Sequence, residues 1–254
     1  MQINLYKQNL NFNAKYISEW NCTNFDGCIK KIKVIKFEKE DINFLNSYYK
    51  DIENIMHIDD IKKIFIKSSI QTILEVLNSD DSSVFQKTKL YGAIYKNKLC
   101  GLLIANIPKL KSYNYKESYS SRHNSAKKEA EIDWLVTWFP EKQILINGIG
   151  KALVGQFFNT LKKNKLRDVF VKSEIPELSY ALNFYEKLGF EQIGNKWTRL
   201  SNKNSGKCII NNYSNSYDLV IPMIITSKKI KSTIKYLHNK MHPKKLPETH
   251  FELK

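Results

Sequence analysis

Cysteine is scarce and unpatterned in this chain. The four present, Cys22, Cys28, Cys100 and Cys208, include no CxxC pair, which excludes a zinc ribbon or a disulfide framework and reads as a reduced chain. Long apolar runs are missing as well: no stretch approaches the ~18 residues that a membrane span needs. Residues 1–15 hold no uninterrupted apolar segment, so no signal peptide is expected and the chain reads as soluble and cytoplasmic. Acid is in deficit. Lys plus Arg number 41 against 25 Asp plus Glu, a formal charge of +16, which gives a surface that attracts anions. Lys, Asn and Ile are abundant along the whole chain, and no basic stretch interleaves aromatics as a stacking platform would, so a nucleic-acid partner is not expected. Against these shortages, 42% of the 254 residues are hydrophobic, enough to bury a sizeable core.

Residues 1–30 are polar and Asn-rich without a clear period and read as an N-terminal extension. From Lys31, apolar and basic residues nearly alternate, as in a half-buried strand. Ile42, Leu45, Ile52 and Ile55, then Ile61, Ile64, Ile70, Ile73, Leu74 and Leu77, fall at spacings of two amphipathic helices. Two apolar runs, 90–95 and 99–106, flank Lys96-Asn97-Lys98 and predict a hairpin. The polar segment 111–129 is too long for a tight turn. Beyond it come a strand over 130–139, a helix over 150–165, a short strand over 168–172 and a helix over 176–188. Pro176 suits the first turn of that helix and Gly189 its C′ position. Strands around 193–200 and 217–225 follow. This order predicts one mixed α/β domain over 31–226, with a basic helical extension over 227–254 whose Ile230, Ile234, Leu237 and Met241 form one stripe. Docking of that stripe, with a solvated basic face, is the default reading; a membrane-surface or partner helix is the sharper one. His238 and His242 on the same helix have no third ligand in sequence reach, so no metal site is expected.

Glycine numbers only nine, so its clustering carries weight. Two glycines fall in Asn147-Gly148-Ile149-Gly150-Lys151, between a predicted strand and a helix. A Gly-x-Gly turn there exposes backbone N–H groups to a phosphate whose charge the helix dipole favours, and Lys151 adds a cation. A plain turn requiring positive φ is the alternative. About thirty residues on stands Ala181-Leu182-Asn183-Phe184-Tyr185-Glu186-Lys187-Leu188-Gly189-Phe190. With this A-x-x-F-Y-x-x-x-G-F pattern, the chain resembles the GNAT superfamily of N-acetyltransferases over roughly residues 31–225, most strongly over 130–192.

The resemblance implies a mixed, mostly antiparallel sheet with splayed central strands, flanked by helices. It also implies acetyl-CoA as acyl donor, a pyrophosphate held at Asn147–Lys151, and a pantetheine arm paired with backbone groups of Val136, Thr137 and Trp138, with Ala181, Phe184, Tyr185 and Lys187 toward the cofactor. The family's usual Gln or Arg before the loop is Leu145 here. Either Gln143 takes that place on a longer loop, or the phosphate relies on backbone amides and Lys151 alone. An Asn that many members carry ahead of the second motif is Leu178, with Ser179 as a stand-in. Glu129, Glu131 and Asp133 alternate along one strand and share a face. Glu131, with Asp133 in reserve, corresponds to the family's base for the acceptor amine, and Tyr185 to the acid for the departing thiolate. A solvated acidic edge and a packed helix tyrosine are the alternatives. The expected activity is direct acetyl transfer to a primary amine of a small molecule or protein; a GNAT-shaped CoA- or anion-binding module is the other possibility. Acceptor identity and oligomeric state have no readable signal.

Overall fold

The computed structural model describes residues 14–55, 57–108, 129–139, 145–164, 166–174, 180–193, 209–210 and 219–247. The chain divides into two compact units. One comprises Met1–Ala105, Trp134–Asn159 and Leu237–Lys254; the other comprises Asn106–Asp133 and Thr160–Tyr236.

In the first unit, β1 (Lys15–Asn24) and β2 (Ile29–Lys36) form an antiparallel hairpin, closed at Gly27 with φ +76°. β1 corrects the reading of residues 1–30 as an aperiodic extension. Tyr16, Ser18, Trp20 and Cys22 are all buried while the residues between them are not. The period of two is real, but Ser18 and Cys22 stand at inward positions and Ile17 at an outward one, so polarity does not follow it. β2 pairs with β3 (Thr88–Tyr95), and β3 turns into β4 (Lys98–Asn106) through Lys96 and Asn97, with φ of 45° and 65°. Two successive positive φ values twist a hairpin the way its strands twist. β4 in turn neighbours β5 (Ala130–Thr137).

Two helices cover one face of these strands: α1 (Ile42–Asp51) and α2 (Asp60–Asn78). Asp59 starts α2, its Oδ1 accepting from Lys62 N at 2.7 Å. Such a cap satisfies one of the N–H groups a helix start leaves orphaned. Leu45, Ile52, Ile66, Ile70, Ile73 and Leu77 pack with Ile35, Phe37, Leu90, Leu102 and Trp138 into one core. Ile61 and Ile64, at helical spacing in the sequence, are 69% and 64% exposed; they lie on the side of α2 opposite Ile66, Ile70 and Ile73, where a 3.6-residue period places them. A short α3 (Ser82–Lys87), started by Asp81, was not apparent in the apolar spacing.

The other face of β1 and β4 receives α4 (Ile149–Lys163), preceded by a two-residue strand, β6 (Ile146–Asn147). β6 pairs with the end of β1, Thr23 opposite Asn147. Trp20 lies under α4, and a Cβ at Gly155 would stand 2.5 Å from its ring. Ser18 Oγ donates to Gln156 Oε1 at 2.8 Å and accepts from Trp20 Nε1 at 2.8 Å, so the buried polar groups of this layer satisfy one another.

In the second unit, β7 (Val169–Glu174) runs parallel to β5, with registered pairs Ala130–Val169, Glu131–Phe170 and Ile132–Val171. On its other edge β7 pairs antiparallel with β10 (Leu219–Ile225), which also carries β8 (Glu191–Gln192) and β9 (Ile209–Ile210). β8 ends at Gln192, just before the strand expected over 193–200, of which residues 194–200 lie outside the described residues. α5 (Tyr180–Lys187) ends as the glycine predicted: Gly189 has φ +90°, Gly189 N donates to Glu186 O (2.9 Å) and Phe190 N to Tyr185 O (3.0 Å). Those paired bonds satisfy carbonyls the helix end would otherwise orphan. α6 (Ser227–Met241) starts on Asp168, whose Oδ1 accepts from Ser227 N at 2.7 Å. Its predicted stripe is buried throughout: Ile230, Ile234, Leu237 and Met241 are 0–6% exposed. The sheet pairings are mostly antiparallel and flanked by helices, as the fold class required. No helix among the described residues is long and apolar enough to cross a membrane.

Candidate functional site

The turn before α4 is built by its glycine. Gly148 has φ +103°, a conformation that a Cβ disfavours, and its carbonyl accepts the first helical bond, from Ala152 N at 2.9 Å. The N–H groups of Ile149, Gly150 and Lys151 precede that bond and have no acceptor among the described residues. Three amides aimed along the positive end of a helix dipole, with the Lys151 ammonium one turn in, suit an anionic group such as a pyrophosphate. Behind the turn, a Cβ at Gly148 would stand 3.4 Å from both Cys22 Sγ and Met241 Cε. Burial pushes the Cys22 thiol up to about 12, with the Lys151 charge pulling the other way, so Cys22 is packing and not a nucleophile.

The end of β5 meets this turn over Gly101, where a Cβ would stand 3.0 Å from Ile149 Cγ2 and 3.3 Å from Thr137 Cγ2. Thr137 and Ile149, two of the predicted cofactor residues, are therefore brought together by a glycine on β4 that sequence reading did not single out. Val136 is partly buried against the α1–α2 core. Trp138 is buried too, and its N–H donates to Cys100 O at 3.0 Å, which leaves its carbonyl as its free strand group. Beyond it, the carbonyl of Phe139 accepts from His57 Nε2 at 2.9 Å.

The acidic half of β5 belongs to the second unit. Glu131 is half-buried, opposite Phe170. Asp133 is exposed and accepts from Asn106 Nδ2. Glu129 is held above the usual carboxylate range, first by burial and then by the charge of Asp168. A carboxyl whose value is higher folded than unfolded costs stability once pH exceeds its unfolded value, and that cost disappears as pH falls below it. Glu129→Gln is therefore expected to raise Tm slightly at neutral pH, with the gain closing as pH falls below the unfolded carboxyl value. Scanning calorimetry at both pH values checks this; an equal gain at both would remove charge as its cause.

On α5, Ala181 and Phe184 are half-buried and Lys187 is exposed. The Tyr185 ring is 6% exposed, edge-on to Phe184 at 5.1 Å and to Phe190 at 5.2 Å between centroids. The motif's aromatic residues thus form a packed cluster, and the Schellman turn at Gly189 folds Phe190 back to complete it. Gln143, Leu178, Ser179 and most of the polar segment 111–129 lie outside the described residues.

The sequence matches no protein-family model and no curated protein. Among solved structures the chain resembles GNAT-family acetyltransferases. It is similar to the GNAT domain of S. lividans PAT (12% identity, 82% of this chain and 96% of that one, TM-score 0.48). It is also similar to an N-acetyltransferase from Staphylococcus aureus Mu50 (11%, 77% and 98%, 0.42). A third similar structure is the PaiA N-acetyltransferase from Thermoplasma acidophilum, solved in complex with coenzyme A (15%, 77% and 98%, 0.41).

Proposed function

We propose that this protein is a GNAT-type N-acetyltransferase that moves the acetyl group of acetyl-CoA to a primary amine of a small molecule or protein. The observation that carries the reading is the α4 start: three backbone N–H groups, at Ile149, Gly150 and Lys151, with no acceptor among the described residues, behind a positive-φ Gly148. The second motif supports it from independent residues, since Phe184, Tyr185, Gly189 and Phe190 all serve one turn-terminated helix.

Acetyl-CoA, when bound, supplies a thioester carbonyl already activated for acyl transfer. The amides of 149–151 and Lys151 hold its pyrophosphate, with Asn147 at the rim. Backbone groups of Val136 and Thr137, and the Trp138 carbonyl, pair with the cofactor's amide-bearing arm as an added strand would. Glu131 or Asp133 accepts the proton that the acceptor ammonium must lose before its nitrogen can attack. Tyr185 returns a proton to the departing sulfur, and the acetyl group passes directly to the amine without an acyl-enzyme.

Calorimetry with CoA and acetyl-CoA tests the reading, followed by thiol release across a panel of amines. Both cofactors should bind, and Lys151→Glu should weaken that binding about tenfold, the loss of one charge-assisted contact. Absence of any CoA binding would overturn the proposal. Binding without thiol release for any amine would leave the CoA-binding module instead.

A further inference from the structure

We infer that the lysine face formed by the last turn of α4 and the first half of α6 binds nucleic acid through its phosphates. The observation is a convergence of like charge that the sequence spreads over seventy residues. Asn159 on α4 accepts from His238 Nε2 on α6 at 3.1 Å. One turn beyond Asn159, on the same face of α4, stand Lys162 and Lys163; three and seven residues before His238, on the same face of α6, stand Lys235 and Lys231. All four are exposed. Among the described residues no carboxylate pairs with any of them, whereas Lys229, on another side of α6, pairs with Glu191 at 2.5 Å.

Four ammonium groups with no carboxylate partner among the described residues repel one another, and a polyanion relieves that repulsion while releasing its own condensed cations. The spread of the charge over two helices, with Lys231 and Lys235 about 6 Å apart along the α6 axis, suits a chain of phosphates better than a single one. A membrane is disfavoured as the occupant. A surface-lying amphipathic helix puts its apolar face into lipid, and here Ile230 and Ile234 are 0% and 6% exposed within the protein. Composition could not reveal this, because lysine is abundant everywhere; what distinguishes the patch is that two helices distant in sequence meet through Asn159 and His238 with their exposed lysines on one side.

The test is fluorescence anisotropy of a labelled oligouridine of about 15 nucleotides, titrated between about 50 and 200 mM salt. The full chain should bind with a log–log salt slope near −3, about 0.7 for each of four phosphates. Lys163→Glu/Lys235→Glu should lower affinity at least tenfold and flatten the slope by about 1.4. Lys39→Glu/Lys50→Glu, the same change in net charge on exposed α1-side lysines, should leave the slope unchanged. Tyr236→Ala, on the Lys229 side of α6, should leave both affinity and slope unchanged. No binding of the oligonucleotide, equal losses in both charge-reversal pairs, or sedimentation with phosphatidylserine vesicles in place of RNA binding would each overturn the inference. None of these readouts depends on CoA binding, so the acetyltransferase reading stands or falls separately.

Discussion

Trp20→Ala is expected to remove about 3–5 kcal/mol of stability, the cost of emptying a large buried aromatic site. The ring is 0% exposed, lies against Gly155 with 2.5 Å to the position of an added Cβ, and meets His238 edge-on at 5.9 Å. Its Nε1 also holds Ser18 Oγ, which holds Gln156. The substitution therefore opens a cavity and breaks a buried polar chain in one step. Denaturant unfolding with a matched slope reads the loss directly; a change under about 1 kcal/mol would mean that the layer beneath α4 is not packed as described. The same contact predicts that Gly155→Ala costs about 1–3 kcal/mol by overpacking, and that shrinking Trp20 recovers part of it, because neighbours in contact are not additive.

With Tyr185 as the proposed proton donor, Tyr185→Phe is expected to lower kcat about 100-fold while leaving CoA affinity within about twofold, the scale of a lost general acid. Phenylalanine keeps the ring contacts to Phe184 and Phe190 while removing the proposed proton donor. Stopped thiol-release assays give kcat and calorimetry gives the affinity. Equal loss of turnover and affinity, or no loss of turnover, would leave Tyr185 as a packing residue of α5.

Much of the architecture was legible because burial imposes a period. The α2 spacing placed Ile70, Ile73, Leu74 and Leu77 in the core, though it also took in the exposed Ile61 and Ile64 and passed over Ile66, and the stripe on α6 was buried in full. Gly148 and Gly189 were legible for another reason: in a glycine-poor chain each stands where φ is positive. β1 was hidden because Ser18 and Cys22 occupy inward positions. Ser18 is tolerated only because Trp20 and Gln156, 138 residues away in the second case, complete its hydrogen bonds. Gly101 was equally silent, since a close approach of α4 to β4 leaves no local mark.

Local chemistry decided the elements themselves: a 3.6-residue period makes a helix face, a missing Cβ permits a positive φ, and an aspartate before an apolar run starts a helix. Those effects act within a few residues of chain. Which groups came to share a neighbourhood was settled only by tertiary packing. Cys22 backs the turn at Gly148 because β1 pairs with β6. Glu129 feels Asp168 because β5 and β7 register side by side. Such proximities depend on strand order and helix crossing, quantities set by the whole core and invisible to any short window.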